Sequence, residues 1–285
     1  MTAAPVRHAF TVDVEDWYQA IPIAPGAKAA AEKRLPHAMD VLLELLDRRG
    51  VRGTFYWLGP AAEEHPEVLR RTVRAGHEIG CHGWSHDLVY EMTPERFRDE
   101  TRRACDAISK VTGAPVAAYR AAYFSVTRRS LWALDVLAEL GFSNDSSIFP
   151  VVNWRYGIPD YGQEPRDVAT PSGIIREYPL SVRQVMGRAI PVSGGAYLRI
   201  YPYALTRANF RAAERDGRPV IFYIHPWELD PGHPRIRFHW KPRLTHYARI
   251  GTTVPKLERL LGDFSFTTLK EVMDGGEARY RSAAL

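Results

Sequence analysis

Short apolar stretches in this chain repeatedly end on a residue that a strand has no structural use for. Residues 8–14 run into the acids Asp13, Glu15 and Asp16; 78–82 end on His82, 116–120 on Arg120 and 142–145 on Asp145. A further strand candidate, 53–58, follows Gly53. Between these stretches the apolar spacing is helical. Residues 36–49 begin with Pro36 and are followed by Gly50; 61–75 are closed by Gly76. A helix running to about Val111 opens at Thr93-Pro94, and 128–140 is ended by Gly141. Alternating strands and helices predict parallel strands joined by right-handed crossovers. Polar side chains at the strand ends point to the C-terminal face of a (β/α) barrel, where such folds assemble their sites. Four strand ends from distant sequence agree on this, which no single motif does.

Residues 149–202 break the pattern. They are rich in Pro, Gly, Tyr and Arg and read as a β/loop insertion at about 150–202. Gly194-Gly195 lacks a phosphate-binding context and reads as a turn. The pattern then resumes with a helix at 205–215, an apolar strand at 219–225 ending on His225, a helix at 245–261 and a short strand at 264–268. No repeat, low-complexity tract or linker divides the chain, so 1–285 reads as a single domain.

His82 and His86 are four residues apart, so both imidazoles can face one ion. A divalent metal needs about three protein ligands to leave a position for water. The acids of 13–16 can supply a third ligand and a base. Strand alternation puts Asp13 and Glu15 on one face, which favours Glu15; if the strand has already ended, Asp16 reaches as well. Imidazole and carboxylate ligands suit zinc foremost, with cobalt, nickel, iron or manganese also accommodated. Cys81 beside the pair reads as a buried strand residue facing away from His82.

Composition narrows the class. The chain is 45% hydrophobic and 25% charged, as in ordinary globular proteins. Two cysteines exclude a disulfide framework. The net charge of +5 is spread without a basic stripe, so no nucleic-acid partner is expected. No apolar run reaches the roughly 20 residues of an integral membrane segment. The first eight residues do not resemble a secretion signal, so a cytoplasmic location is expected. The oligomeric state is not legible.

The motifs together resemble the polysaccharide deacetylases of carbohydrate esterase family 4, the NodB-homology fold. They are Thr11-Val12-Asp13-Val14-Glu15-Asp16, His82-Gly83-Trp84-Ser85-His86, Tyr119-Arg120-Ala121-Ala122-Tyr123, Asn144-Asp145-Ser146-Ser147 and Ile224-His225-Pro226, in family order over the whole chain. A narrower similarity rests on Asp13-Val14-Glu15-Asp16-Trp17, on 225–231 and on His246-Tyr247. These look like the deacetylases found with exosortase/PEP-CTERM exopolysaccharide gene clusters, whose extra C-terminal region would here be about 226–285. The resemblance implies a deformed (β/α) barrel with a β/loop insertion and a C-terminal helical extension. It also implies a divalent metal and removal of N-acetyl groups from amino sugars of an oligo- or polysaccharide. Asp13 would be the base and Arg120 would pair with it and aim it. His225 would protonate the amine, Asp145 would orient His225 or the substrate, and the Tyr123 main-chain N–H would be the oxyanion donor. The family has two adjacent aspartates where this chain has Asp13-Val14, so the third ligand is Glu15 or Asp16. Two other readings stand beside this one: cleavage of other non-peptide C–N bonds in small molecules, and a carbohydrate-binding pseudoenzyme. Trp84, Trp154 and Trp227 are candidates for stacking on sugars or for the core. Glu228 and Asp230, next to His225, are candidates for shaping the pocket.

Overall fold

All seven residues of β1 (His8–Val14) are buried, as in a parallel strand covered on both faces. Alternation sorts them. Phe10, Val12 and Val14 enter the outer core beneath the helices. Ala9 joins an inner cluster with Tyr56, Ala118, Phe149 and Tyr223. Thr11 and Asp13 share the inner face with Ala9. The computed structural model describes residues 6–275 apart from 20, 22 and 24, and the backbone of 281–284.

The strands after β1 are β2 (Thr54–Trp57), β3 (Glu78–Cys81), β4 (Ala118–Tyr119), β5 (Asn144–Asp145), β6 (Arg166–Thr170), β7 (Gly173–Glu177), β8 (Val182–Val185), β9 (Arg188–Pro191), β10 (Ile221–Ile224), β11 (Phe266–Thr267) and β12 (Arg281–Ala284). Ten of them form one sheet in the order β10-β1-β2-β3-β4-β5-β7-β6-β12, with β11 also paired to β1. Every pairing is parallel except β6 with β7. Among the described residues no pair joins β10 to β12, so the barrel is open. The fold is the expected α/β class, with the ends of β1, β3, β4, β5 and β10 on one rim.

The helix 35–48 (Leu35–Arg48) shows how the outer layer is held. Proline stands in its first turn, and Leu35, Ala38, Met39, Leu42, Leu45 and Leu46 are buried along one stripe. The helix Pro94–Thr112 starts at Thr93, whose hydroxyl accepts the Arg96 N–H at 3.2 Å, and ends at Gly113 with φ 73°. Two expected helices are each divided. Residues 61–75 form Gly59–Glu64 and Pro66–Arg74, separated at His65 (φ −128°, ψ 55°), because the residue before a proline is driven out of the helical region. Residues 245–261 are the end of Trp240–Tyr247 and most of Thr253–Asp263, broken at Arg249 with φ 51°. Gly251 and Pro255 stand just after this break.

Within 149–202, β6 and β7 extend the main sheet, whereas β8 and β9 form a separate hairpin. Met186 and Gly187 at its tip both have positive φ, 50° and 75°, as a two-residue hairpin turn requires.

Candidate metal and catalytic site

β1 carries Asp13 at its inner-facing end, and Glu15 follows two residues on. Asp13 Oδ1 accepts from Arg120 Nη1 at 2.9 Å, with both side chains buried. Arg120 is the hub of this wall. Its Nη1 also donates to Thr11 Oγ1 at 2.7 Å, its Nε to the Ser146 carbonyl at 3.0 Å and its Nη2 to Ser146 Oγ at 2.9 Å. Its guanidinium lies 4.3 Å from the centre of the Tyr56 ring. With donors matched on several sides, the guanidinium has one position.

Glu15, His82 and His86 form the group suited to a metal: their ligand atoms all lie within 4.8 Å of one another. Glu15 Oε2 is 2.7 Å from His86 Nε2. His82 Nδ1 lies 2.8 Å from the Arg120 carbonyl, which only accepts, so Nδ1 carries the proton and Nε2 keeps its lone pair. Burial pushes His82 down to about 4, leaving it neutral as a ligand must be. Burial alone would raise the Glu15 carboxyl, but His86, His225 and His82 around it hold it well below the usual carboxylate range. His86 Nδ1 is buried without a hydrogen-bond partner. Two imidazoles and a carboxylate converging at the rim fit a divalent ion. His86 and Tyr123 both hold positive φ, 60° and 55°, and their rings are 4.5 Å apart.

Asp16 is not in this group. Its Oδ1 accepts the Trp17 N–H at 2.8 Å, and its Oδ2 accepts those of Arg34 and Leu35 at 2.8 and 3.0 Å. The carboxylate ties the loop after β1 to the start of the helix Leu35–Arg48. Of the two alternatives for the third ligand, the geometry brings Glu15 to the histidines.

His225 follows β10. Its Nε2 is 3.6 Å from Glu15 Oε1 and 4.0 Å from Asp13 Oδ2. Its Nδ1 is 2.9 Å from Glu228 Oε1, which also accepts the His225 main-chain N–H at 3.1 Å. Burial works against the charged ring, but Glu228, Glu15 and Asp13 raise it to about 9. Burial likewise opposes the Glu228 charge, and Arg199 with His225 brings its carboxyl to about 2. Arg199 is itself buried: Nε donates to Glu228 Oε2 at 2.8 Å and Nη1 to the Ala248 carbonyl at 2.7 Å. Trp227 Nε1 donates to Glu15 Oε1 at 3.2 Å, and its ring stacks on His225 and His246.

Asp145 does not reach His225, and the orienting role expected of it falls to Glu228. Asp145 accepts from Ser147 Oγ at 2.5 Å, and Ser147 Oγ in turn accepts the Ala121 N–H at 2.8 Å. In the β5–β7 register it faces Glu177, and burial raises both carboxyls. Asp145 Oδ2 and Glu177 Oε2 have no other partner, so one retained proton between them satisfies both. This pair braces the loop behind Arg120 and is not among the residues that line the pocket.

The tryptophans divide. Trp84 packs beneath the Arg103 guanidinium at 3.6 Å and against Gly59, away from the rim. Trp227 is a buried wall of the site, and Trp154 is 82% exposed at its mouth. Cys81 lies in the outer core, with its back to His82. Gly194 and Gly195 do not cradle a ligand. A Cβ at Gly194 would come within 2.5 Å of the Tyr223 ring, and one at Gly195 would overlap the Glu228 carboxylate. They are glycines because two pocket side chains occupy that space. Sequence reasoning missed Arg199, Trp227 as a partner of Glu15, and Glu177. Only Gly195 hinted at a close approach, without saying to what.

Residues 31–144 match the polysaccharide deacetylase family model. This segment, 114 of the 285 residues, holds the His82/His86 pair, Arg120 and Tyr123. Over that segment the chain is similar to the polysaccharide deacetylases. Residues 146–274, with His225, Glu228 and Arg199, match a family described only as a domain of unknown function, DUF3473. Asp13 and Glu15 precede both matched segments, so the site described above draws on residues beyond the deacetylase match. A peptidoglycan-N-acetylglucosamine deacetylase of Bacillus cereus is 24% identical over 142 residues, 50% of this chain and 48% of that protein. The chain thus aligns with about half the length of that relative. A Mycobacterium smegmatis crystal structure, provisionally assigned as a polysaccharide deacetylase, shares the fold at a TM-score of 0.64. It is 21% identical, with 100% of this chain and 98% of that chain covered. The peptidoglycan deacetylase PdaC of Bacillus subtilis superposes at 0.50 with 14% identity, covering 96% and 93% of the two chains. The segment that matches the deacetylase model and the segment after it build one rim.

Proposed function

We propose that this chain is a metal-dependent hydrolase that removes N-acetyl groups from amino sugars of an exopolysaccharide or its precursor. One observation carries the reading. Asp13 and His225, a base and an acid whose nearest atoms are 4.0 Å apart, stand beside the Glu15–His82–His86 group. A divalent ion, zinc foremost, held by Glu15, His82 and His86 would supply a Lewis acid for the acetyl carbonyl and a more acidic water.

The chain's own residues account for the remaining proton movements. Asp13 Oδ2 faces the site while Oδ1 is held by Arg120, so the free oxygen takes the proton of the attacking water. The Tyr123 main-chain N–H donates to the carbonyl oxygen as charge develops there. As the C–N bond breaks, His225 gives its Nε2 proton to the amine nitrogen. Glu228 on Nδ1 holds the ring in that orientation and stabilises its charged form. The exopolysaccharide assignment rests on the resemblance of 13–17 and 225–231 to the exosortase-linked deacetylases, and a cytoplasmic site of action belongs to the same proposal.

The test is acetate release from N-acetylglucosamine oligomers by chelated protein refilled with zinc or cobalt. Metal-dependent acetate that is lost in Asp13→Asn and His82→Ala supports the reading. Tight metal binding without acetate from any acetylated sugar overturns it.

A further inference from the structure

The pocket, of about 290 Å³, has an acidic floor and one cationic patch on its wall. Asp13, Glu15 and Glu228 form the floor, and each already has a cationic or imidazole partner. Arg199 is committed to Glu228. Arg155 is different. Its guanidinium lies 4.7 Å from the Tyr123 ring and 4.6 Å from the Trp154 ring, and among the described residues no carboxylate pairs with it. Stacking between two rings holds the guanidinium plane and leaves its N–H edge free for a planar, two-oxygen acceptor. Trp154 beside it exposes 82% of its surface and presents an open indole face.

We propose that Arg155 and Trp154 form a subsite for a carboxylate-bearing sugar adjacent to the residue that is deacetylated, so that the substrate is an acidic heteropolysaccharide. The inference rests on the deacetylase reading above and deepens it. The unit at the metal group carries the acetamide on which Asp13 and His225 act, so a carboxylate is bound elsewhere. The Tyr123 ring contacts both the His86 ring, at 4.5 Å, and the Arg155 guanidinium, at 4.7 Å, so the anion sits about one ring's breadth from the metal group, on a neighbouring unit. The indole of Trp154 offers a stacking face to that unit, and the guanidinium takes its carboxylate in a bidentate pair. The net charge of +5 favours approach of such a polymer.

Two tetrasaccharides decide the matter: one of N-acetylglucosamine alone, and one alternating N-acetylglucosamine with glucuronic acid. Binding to the metal-free chain is measured by calorimetry, and acetate release by the zinc-loaded chain. The acidic oligomer is expected to bind about tenfold more tightly at low salt, with the ratio falling towards one in Arg155→Met and at high salt. Arg155→Lys keeps the charge without the fork and retains only part of the ratio. Equal binding of the two oligomers, or a preference that persists in Arg155→Met, overturns the proposal even when both oligomers release acetate. An Arg155-dependent preference with no acetate from either oligomer upholds the anionic subsite and removes the deacetylase reading instead.

Discussion

Asp13 and Arg120, 107 residues apart in sequence, meet at 2.9 Å with both side chains buried. The pair sets the aim of the base, because Arg120 occupies one Asp13 oxygen and leaves the other, Oδ2, towards His225. Removing one member of a buried ion pair strands the other. Arg120→Met is therefore expected to destabilise the fold by about 3–5 kcal/mol and to abolish acetate release. Arg120→Lys will not rescue it, since a point charge cannot meet Thr11, Asp13 and Ser146 together. Denaturant titration beside the acetate assay checks both, and near-wild-type stability in Arg120→Met would refute the hub role.

Glu15 and Asp16 are adjacent carboxylates with different work. Glu15→Gln is expected to lose most bound metal with little change in the metal-free fold. Asp16→Asn should keep metal but lose about 1–3 kcal/mol of stability, because three main-chain N–H groups lose an ionised acceptor. Metal content by emission spectroscopy and thermal melting separate the two. The opposite pattern would move the third ligand to Asp16.

Glu228 holds His225 from behind. Glu228→Gln is expected to lower kcat by on the order of 10²-fold through loss of orientation, with a smaller change in KM. Gly195→Ala should act in the same direction without removing a charged group, because the new Cβ takes the space of the Glu228 carboxylate. Steady-state kinetics on both variants test the arrangement; a kcat unaffected in Gly195→Ala would sink it.

His8 and His77 make the fold acid-sensitive away from the site. Each accepts a main-chain N–H on Nδ1, from Val220 at 3.0 Å and Gly53 at 3.1 Å, which only the unprotonated nitrogen can do. Burial, helped by Arg211 for His8 and by Arg52 for His77, pushes both to about 4. In the unfolded chain an ordinary histidine titrates near 6.5. Their contribution is thus complete above about pH 6.5 and is lost as the pH falls from there to about 4, where the unfolded chain takes a proton that the folded one refuses. Each is worth on the order of 1–3 kcal/mol across that window. His77→Gln keeps an acceptor for Gly53 and does not titrate. The stability gap between wild type and this variant should therefore shift against wild type as the pH drops, and a constant gap from pH 7 to 4 would contradict it.

Much of the site was legible in the sequence because its members sit where periodicity ends. Asp13, His82, Arg120 and His225 each close or directly follow an apolar run, and parallel strands bring such positions to one rim whatever the helices between them look like. The His82/His86 spacing is local and survives any tertiary detail. The divided helices show the limit: Pro66 marks one break in advance, while the other falls at Arg249, two residues before the Gly251 that could have marked it.

What the tertiary structure alone decided is which partner each charged group found. Glu15 rather than Asp16 faces the histidines, because the chain leaves the strand between them and Asp16 is taken by the amides of Arg34 and Leu35. Glu228 rather than Asp145 orients His225, because β7 sets Glu177 against Asp145 and Arg199 reaches Glu228 from a helix 29 residues earlier. The sequence by itself determined the fold class, the rim and the kinds of residue on it, since those follow from hydrophobic period and strand-end placement. The pairing of buried carboxylates follows from distances of a few ångströms between segments far apart in the chain, and those distances exist only once the chain has folded.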